Sequence, residues 1–542
     1  MSASASWDQA GSATVTQWFA EAAEEASEQV FVDFTAGESY TYGEFDRLTN
    51  RLARGMSTLG IGRGDTVATM LDNTIYAVAG WIAANKTGAI NVPVNTALKG
   101  EFLRHVLDDS RARVLLVEAH YAARLNALGA GLQHLDHIVV VGAGSRTDLP
   151  GTPVTIEQLL DHSDAPLDDP NTPRDLTTII YTSGTTGVSK GCMISHNYAV
   201  HIARQELGVS DRHSAEPSYT CLPLFHLNAA IINVLATVGA KSKITIAPRF
   251  SLSGFWRDIR NSRARSTSLL GGMIPLLAKA PDSPDSLACR GQLRYIAGQP
   301  WPGDTQQIFR ERFGVEMVGS QRYSMTEAFA VTSYRYGDGP PPPAGSSGRR
   351  NDNFDVRIFD DNDRELPPGE VGEIVVRPLH PNIMFDGYWQ RPEATLDAFR
   401  NLWFHTGDCG RIDEDGYLWF ADRKKDYIRR HGENISSMEV EMAVRAHPAV
   451  HDVAAHPVSS ELSEDEVKIC VIPVEGATLH PEEVFRWCAD TMPHYAVPRY
   501  IEIVADLPRT PTGKVQKFLL RATGVTDTTW DREKAGLVVT RD

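Results

Sequence analysis

The run Tyr181-Thr-Ser-Gly-Thr-Thr-Gly-Val-Ser-Lys-Gly191 gathers glycines, hydroxyls and one lysine into a single turn-rich loop. Gly184 and Gly187 let backbone N–H groups approach an anion, Thr182, Ser183, Thr185 and Thr186 supply neutral donors, and Lys190 adds positive charge. That is the chemistry of phosphate binding. It is not the Walker pattern, in which the lysine directly follows the second glycine. Thr326 and Glu327 make a second pair: a hydroxyl can bind a phosphate while a carboxylate holds Mg²⁺ against the same oxygens. A Thr-Glu pair is equally the wording of a helix cap. Asp408, acceptor-only when ionised, suits a diol, although Thr406-Gly-Asp408 also reads as a turn. Lys514, in the turn Pro511-Thr-Gly-Lys514, offers an ammonium that could neutralise two oxyanions as charge develops between them. In isolation such a lysine is a solvated surface charge, and Lys517 keeps that reading. His226, behind Pro223-Leu-Phe225, is either a satisfied core histidine or a functional one.

These residues need a scaffold. Apolar runs Thr66–Leu71, Ala112–Val117, His137–Gly142 and Thr177–Tyr181 alternate with helical stretches, which predicts a mostly parallel sheet with helices on both faces. Residues 14–30 carry apolar positions at helical spacing, and Tyr40-Thr-Tyr42 with Phe45 opens a second amphipathic segment. The Asp/Pro-rich stretch 161–174 is a surface loop that delivers the chain into the strand before the glycine-rich loop. Pro340 to Pro343 form a stiff connector, after which runs 354–359 and 372–377, with turns at 367–369 and 413–416, predict a small β-rich unit. The polar run Asp422–Asp426 reads as a linker. Beyond it, the acidic loop 459–466 and a helix at 481–489 belong to a small α+β domain.

A chain of 542 residues exceeds what one core supports, so several domains are expected. The formal charge of −16 repels nucleic acid and anionic membranes, so anionic ligands must be captured locally. The six cysteines show no CxxC pair, which predicts a reduced, cytoplasmic setting without structural zinc. Residues 1–11 lack the basic patch and apolar run of a secretory signal. The longest apolar stretch, 229–240, is too short to span a bilayer and predicts a buried helix, so no transmembrane segment is expected.

The glycine-rich loop resembles the phosphate loop of the adenylate-forming superfamily of acyl-CoA ligases, nonribosomal adenylation domains and luciferases. Further elements follow in that family's order: Pro223-Leu-Phe-His226, Ala297-Gly-Gln-Pro300, Tyr323-Ser-Met-Thr-Glu327, Thr406-Gly-Asp408, Asp422-Arg423, Gly432-Glu-Asn-Ile435 and Pro511-Thr-Gly-Lys514. The wording Arg429-Arg-His-Gly-Glu-Asn-Ile-Ser436, with Pro-Leu-Phe-His-Leu-Asn-Ala229, is most similar to the carnitine/crotonobetaine-type CoA ligase branch.

The resemblance implies an α/β fold: a large N-terminal domain of parallel-type α/β subdomains plus a small β-rich unit over 1–423, a hinge at 424–426 centred on Lys425, and a small mobile α+β C-terminal domain over 427–542. It implies ATP, Mg²⁺ and coenzyme A as ligands and a homodimer as an allowed state. Thr326 would meet the α-phosphate, Glu327 the Mg²⁺, and Asp408 with Arg423 the ribose. Gly298, Gln299, Pro300 and Tyr323 to Met325 would enclose adenine, with ordinary core packing the other reading of Gly298, Pro300 and Tyr323. His226 would gate the acyl pocket, bordered by Asn228, Gly272 and Met273. Lys514 would be the catalytic lysine. Rotation at the hinge would withdraw it and present Gly432, Glu433 and Asn434 to the thiol arm, with Arg429 and Arg430 near CoA phosphates. The charged cluster 423–430 is otherwise a solvated face.

The implied reaction has two steps. An acid's oxygen attacks the α-phosphate and releases pyrophosphate, and a thiol then displaces AMP. Acceptors other than CoA, such as a carrier protein, or nitrite activation for diazotising an amine, remain open. Ser324 where the family has glycine, Gln299 where it has alanine, and Arg322 where a small residue is common point to an unusual acid, small or itself charged.

Overall fold

The computed structural model describes residues 13–539 except 97, 99, 127, 129–130, 143–148, 150–151, 183–188, 271–272, 300, 302–303, 320, 336–338, 424–426, 431–432, 460–464, 493–495 and 511–512. The chain divides into two compact units. One is drawn from Met1–Thr182, Ser189–Asp355 and Pro378–Asp397, the other from Val356–Arg377 and Ala398–Asp542. The β-rich segment, grouped with 1–423 in the sequence reading, falls in the second unit by this division. The residues expected to hinge, 424–426, lie outside the described residues.

The first unit contains two seven-stranded sheets, and the fold is mixed α/β as expected. One sheet runs in the order Thr152–Thr155, His137–Val141, Ala112–Glu118, Thr66–Met70, Ile90–Pro93, Leu176–Thr182, Lys190–Ser195. Its neighbours are parallel except the last pair, which is antiparallel. Runs such as Ile138-Val-Val-Val141 are buried on both faces, as strands under two helical layers must be. The other sheet runs Met317–Val318, Tyr295–Gln299, Ser266–Leu270, Ser218–Thr220, Ile244–Ile246, Val30–Phe34, Ser39–Thr41.

Capping chemistry sets the first helices. Thr14 and Gln17 form a reciprocal box that starts Val15–Glu25, and Thr41 with Glu44 starts Tyr42–Thr58. The first helix stops short of Val30, where a strand begins, because a run of β-branched and aromatic residues there favours the pleated sheet. The apolar stretch at 229–240 is buried as expected, but it is a π-helix over Asn228–Leu235 that runs into an α-turn at Ala236–Gly239. The Asn233 amide reaches back five residues to Asn228 O at 2.8 Å and Oδ1 at 2.9 Å, which favours the wider spacing.

In the second unit, strands Phe354–Phe359, Gly372–Pro378, Phe404–Ile412 and Leu418–Arg423 form a sheet whose last hairpin turns at Asp413–Gly416. Asp422 and Arg423, expected in a linker, are strand residues opposite Cys409 and Asp408, because cross-strand pairing continues to the strand's end. A further sheet of Val450–Ser459, Asp465–Pro473, Tyr500–Ile503 and Trp530–Asp531 is covered by helices Ser437–Arg445 and Pro481–Thr491 over a core including Val444, Val453, Ile469 and Phe485. Asp465 and Glu466, read as loop, already belong to a strand, where Glu466 pairs with buried Arg430 at 2.9 Å. Burial of that pair takes Arg430 out of the solvated face. Lys517 is likewise no free surface charge: it lies 3.0 Å from Glu441, with both side chains largely covered.

The deepest charge in this sheet is Lys468, 1% exposed, whose Nζ donates to Glu502 at 2.5 Å and to Gly524 O at 2.6 Å. Burial alone would raise the Glu502 carboxyl, but the bonds from Lys468, Thr528 and Thr526 outweigh it and hold it at about 2, against 4.5. A depressed carboxyl contributes stability above its unfolded pKa, so that contribution is lost as pH falls from about 4.5 towards 2. Lys468→Met is expected to cost about 1.5–3 kcal/mol at neutral pH, the scale of one hydrogen bond to a charged group, since Glu502 keeps its Thr526 and Thr528 bonds, with the deficit shrinking below pH 4.5. Urea unfolding followed by tryptophan fluorescence at pH 7 and pH 3.5 measures both.

Candidate active site

In the first unit the residues that flank the glycine-rich segment are paired strands. Thr182 pairs with Lys190 and Tyr181 with Gly191 across the antiparallel hairpin, so both rims of the loop are fixed. The loop's own Ser183, Gly184, Thr185, Thr186 and Gly187 lie outside the described residues. A Cβ on Gly191 would come within 2.6 Å of Ile179 Cγ2, so the hairpin requires glycine there.

Lys190 Nζ stands 4.9 Å from the centroid of the Tyr388 ring, and the Tyr388 hydroxyl donates to Glu327 Oε1 at 3.0 Å. One phenol thus links the cation at the loop's rim to the carboxylate of the Thr-Glu pair. Burial, and after it the Glu327 charge, push the Tyr388 phenol well up, so it stays a donor. Cys192, buried against Thr182 and Glu327, is held as a neutral thiol by burial first and the Glu327 charge second. Glu327 is positioned through its backbone: Phe385 N donates to its carbonyl at 2.9 Å, and Tyr198 Oη donates to Thr326 O at 3.1 Å. No helix starts at Thr326, so the pair is not a cap.

Tyr388, Cys192 and Tyr198 were not anticipated. Tyr388 is 61 residues from Glu327 and meets it only because backbone bonds dock 386–389 along the Gly191–Met193 strand edge. The local signal was an aromatic residue behind a glycine, Gly387-Tyr388, which is too common to single out.

Of the residues expected around adenine, Gly298 sits in a strand with no room for a side chain, since a Cβ would lie 2.6 Å from Leu269 O. Tyr323 is buried, its N–H donating to Thr332 Oγ1 at 2.9 Å. Ser324 and Met325 are half-buried in irregular chain, with Met325 N bonded to Ala328 O. Pro300 and the Gln299 side chain lie outside the described residues. Arg322 does not offer its charge to an acid. It is buried against Glu206 at 2.7 Å, with its guanidinium over the Phe329 ring, because a cation at that depth needs a counter-charge.

His226 closes a turn on Pro223 O, with its ring 4.5 Å from that of Phe225. Burial lowers its imidazole to about 4, so it is neutral near pH 7. It lines a cavity with Phe225, Trp81 and Ile231. Asn228 is pinned by Asn233, and Met273 begins the helix Met273–Lys279 half-buried beside the core. Gly272 lies outside the described residues.

In the second unit, cross-strand register sets Asp408 opposite Arg423, the two residues the sequence had paired. Thr406 Oγ1 accepts from Asp408 N at 3.1 Å and donates to Ile374 O at 2.7 Å, and Gly407 takes a positive φ of 71°. The Arg423 side chain is outside the described residues. Glu433 and Asn434 lie on the strand Glu433–Ser436, opposite Arg430 and Arg429; their side chains, the Arg429 side chain, Gly432 and Lys425 are outside. Lys514 is exposed on a tight turn in which Thr510 N donates to its carbonyl at 2.7 Å and its own N–H donates to Thr510 Oγ1 at 3.1 Å. Among the described residues no group of three or more His, Cys, Asp or Glu is placed to hold a metal, and no helix is long and apolar enough to cross a membrane.

Two family models match the chain: the AMP-binding enzyme family over residues 19–389 and the AMP-binding enzyme C-terminal domain over residues 439–514. A crotonobetaine/carnitine–CoA ligase of Salmonella arizonae is 32% identical over 496 residues, covering 90% of this chain and 94% of the relative. Among solved structures, ATP-bound MatB from Rhodopseudomonas palustris superposes with a TM-score of 0.80 at 27% identity, covering 94% of this chain and 99% of that one. A Mycobacterium tuberculosis fatty acyl CoA synthetase gives 0.70 at 26%, covering 94% and 98%. With the first model spanning more than half its length, the chain belongs to the AMP-binding enzyme family, and it is an AMP-forming ligase.

Proposed function

We propose that the chain is an ATP-dependent acid–CoA ligase, which activates a small carboxylic acid as its adenylate and passes the acyl group to CoA. The observation that carries this is the Lys190–Tyr388–Glu327 assembly at the rim of the glycine-rich loop: a cation and a carboxylate fixed through one phenol beside a loop of anion-binding composition. The named CoA ligase relatives, which match nearly the whole chain, support it.

In this reading Thr182 to Gly187 and Lys190 hold the phosphates, and Thr326 bonds the α-phosphate. Glu327 has the chemistry to hold Mg²⁺, since one carboxylate with substrate phosphates and water completes the ion's coordination. Bound there, Mg²⁺ would neutralise phosphate charge. Asp408 and Arg423 hold the ribose hydroxyls, with Gly298, Tyr323, Ser324 and Met325 about the base. The acid's oxygen attacks the α-phosphorus as the bond to pyrophosphate breaks, and Lys514 neutralises both oxyanions. A turn at Lys425 then exchanges Lys514 for Gly432 to Asn434, and the thiolate displaces AMP from the mixed anhydride.

Tyr388→Phe keeps the ring near Lys190 and removes the bond to Glu327. Adenylation is expected to fall about tenfold, the scale of one hydrogen bond to a charged group, with a raised Mg²⁺ requirement. A Mg²⁺ titration of pyrophosphate release checks it. The acceptor is tested by AMP release with a matched acid, which should rise on adding CoA. Indifference to CoA would move the assignment to another acceptor.

A further inference from the structure

We infer that Asp109 is a positioning residue for triphosphate capture: its one carboxylate ties Tyr181, which precedes the glycine-rich segment, to Arg391, which follows Tyr388, and so holds Lys190 and the Tyr388 phenol in register. This rests on the ligase reading above.

Asp109 ends the helix Gly100–Asp109, with its side chain only 9% exposed. Its Oδ2 accepts from Tyr181 Oη at 2.8 Å and its Oδ1 from Arg391 Nη2 at 2.6 Å, while its backbone carbonyl accepts from Trp389 Nε1 at 3.1 Å. Donors from two distant segments converge on one residue, and those segments are the ones that build the Lys190–Tyr388–Glu327 assembly. Tyr181 pairs with Gly191, next to Lys190, and Trp389 N donates to Gly191 O at 2.8 Å, so the chain at Tyr388 is held by a strand edge and by Asp109. One turn earlier in the helix, His105 Nε2 donates to Ser189 O at 2.9 Å, again next to Lys190, with its ring edge-on to that of Tyr181.

The residue type argues for more than packing. A negative charge at a helix C-terminus opposes the macrodipole, and Asp108 adds a second, so helix stability alone disfavours aspartate there. An ionised carboxylate has two acceptor oxygens for a phenol and a guanidinium together, which an amide lacks. Burial, and after it the Asp109 charge, push the Tyr181 phenol well up, so it stays a donor. Without this tie Tyr388 is free to drift from Lys190 and Glu327, and small displacements of positioning groups are costly.

The test is calorimetric binding of Mg·ATP and of AMP. Lys190 serves the outer phosphates, whereas AMP uses only the contacts to base, ribose and α-phosphate. Asp109→Ala should weaken Mg·ATP about tenfold and AMP by less than about twofold, while a merely structural role would weaken both alike. Asp109→Asn, which keeps one acceptor, should show the same split at smaller size, and it takes the place of the alanine variant if that does not fold. In pyrophosphate release, Asp109→Ala combined with Tyr388→Phe should cost little more in kcat/KM for ATP than the larger single loss, because both changes loosen one assembly. Equal weakening of the two nucleotides, Mg·ATP binding as tight as in wild type, or losses that multiply in the double variant overturns the proposal. If no acid releases pyrophosphate but the split between Mg·ATP and AMP holds, the ligase reading fails and the role of Asp109 stands.

Discussion

Lys514→Ala is expected to lower adenylation by a factor of about 10²–10³ or more while sparing thioester formation from supplied acyl-adenylate. A preorganised cation aimed at developing charge is worth about 3–4 kcal/mol in a water-excluded site. The residue is exposed, and its turn is held by Thr510 backbone and hydroxyl bonds that alanine preserves, so the fold should survive the change. Single-turnover assays of the two half-reactions separate the outcomes. Equal loss in both would contradict the division of labour between Lys514 and the segment at Gly432 to Asn434.

Glu327→Gln is the second large effect. The amide keeps the shape and can still accept from Tyr388, but it cannot hold Mg²⁺ against phosphate. Adenylation should fall about 100-fold or more, with a raised Mg²⁺ requirement and a melting temperature close to that of wild type. A rate within threefold of wild type across the Mg²⁺ titration would remove Glu327 from the metal site.

Local pattern carried much of the fold. Strands such as 137–142 were legible because buried parallel strands are continuous apolar runs, and the first helices because their apolar positions recur at helical spacing, whereas the capping boxes of Thr14 and Thr41 emerged with the structure. The π-helical form of 228–235 was not legible, since it depends on Asn233 bonding Asn228, an interaction that neither composition nor 3.6-residue periodicity encodes. The site divides the same way. Lys190, Thr326 and Glu327 announce themselves by motif. Tyr388 does not, because its role comes from strand-edge docking across the chain. Arg322, Arg430 and Lys517 looked available on sequence and are instead committed to Glu206, Glu466 and Glu441, because each carboxylate arrives from a distant segment.

The central claim is that the chain joins an acid to AMP before any thiol is needed. Exchange of labelled pyrophosphate into ATP, run without CoA across a broad panel of short carboxylic acids, neutral-tailed and charged, measures it directly. Acid-dependent exchange, lost in Lys514→Ala and Glu327→Gln, is the predicted result. Exchange with no acid in the panel, or exchange that appears only when CoA is present, would contradict it.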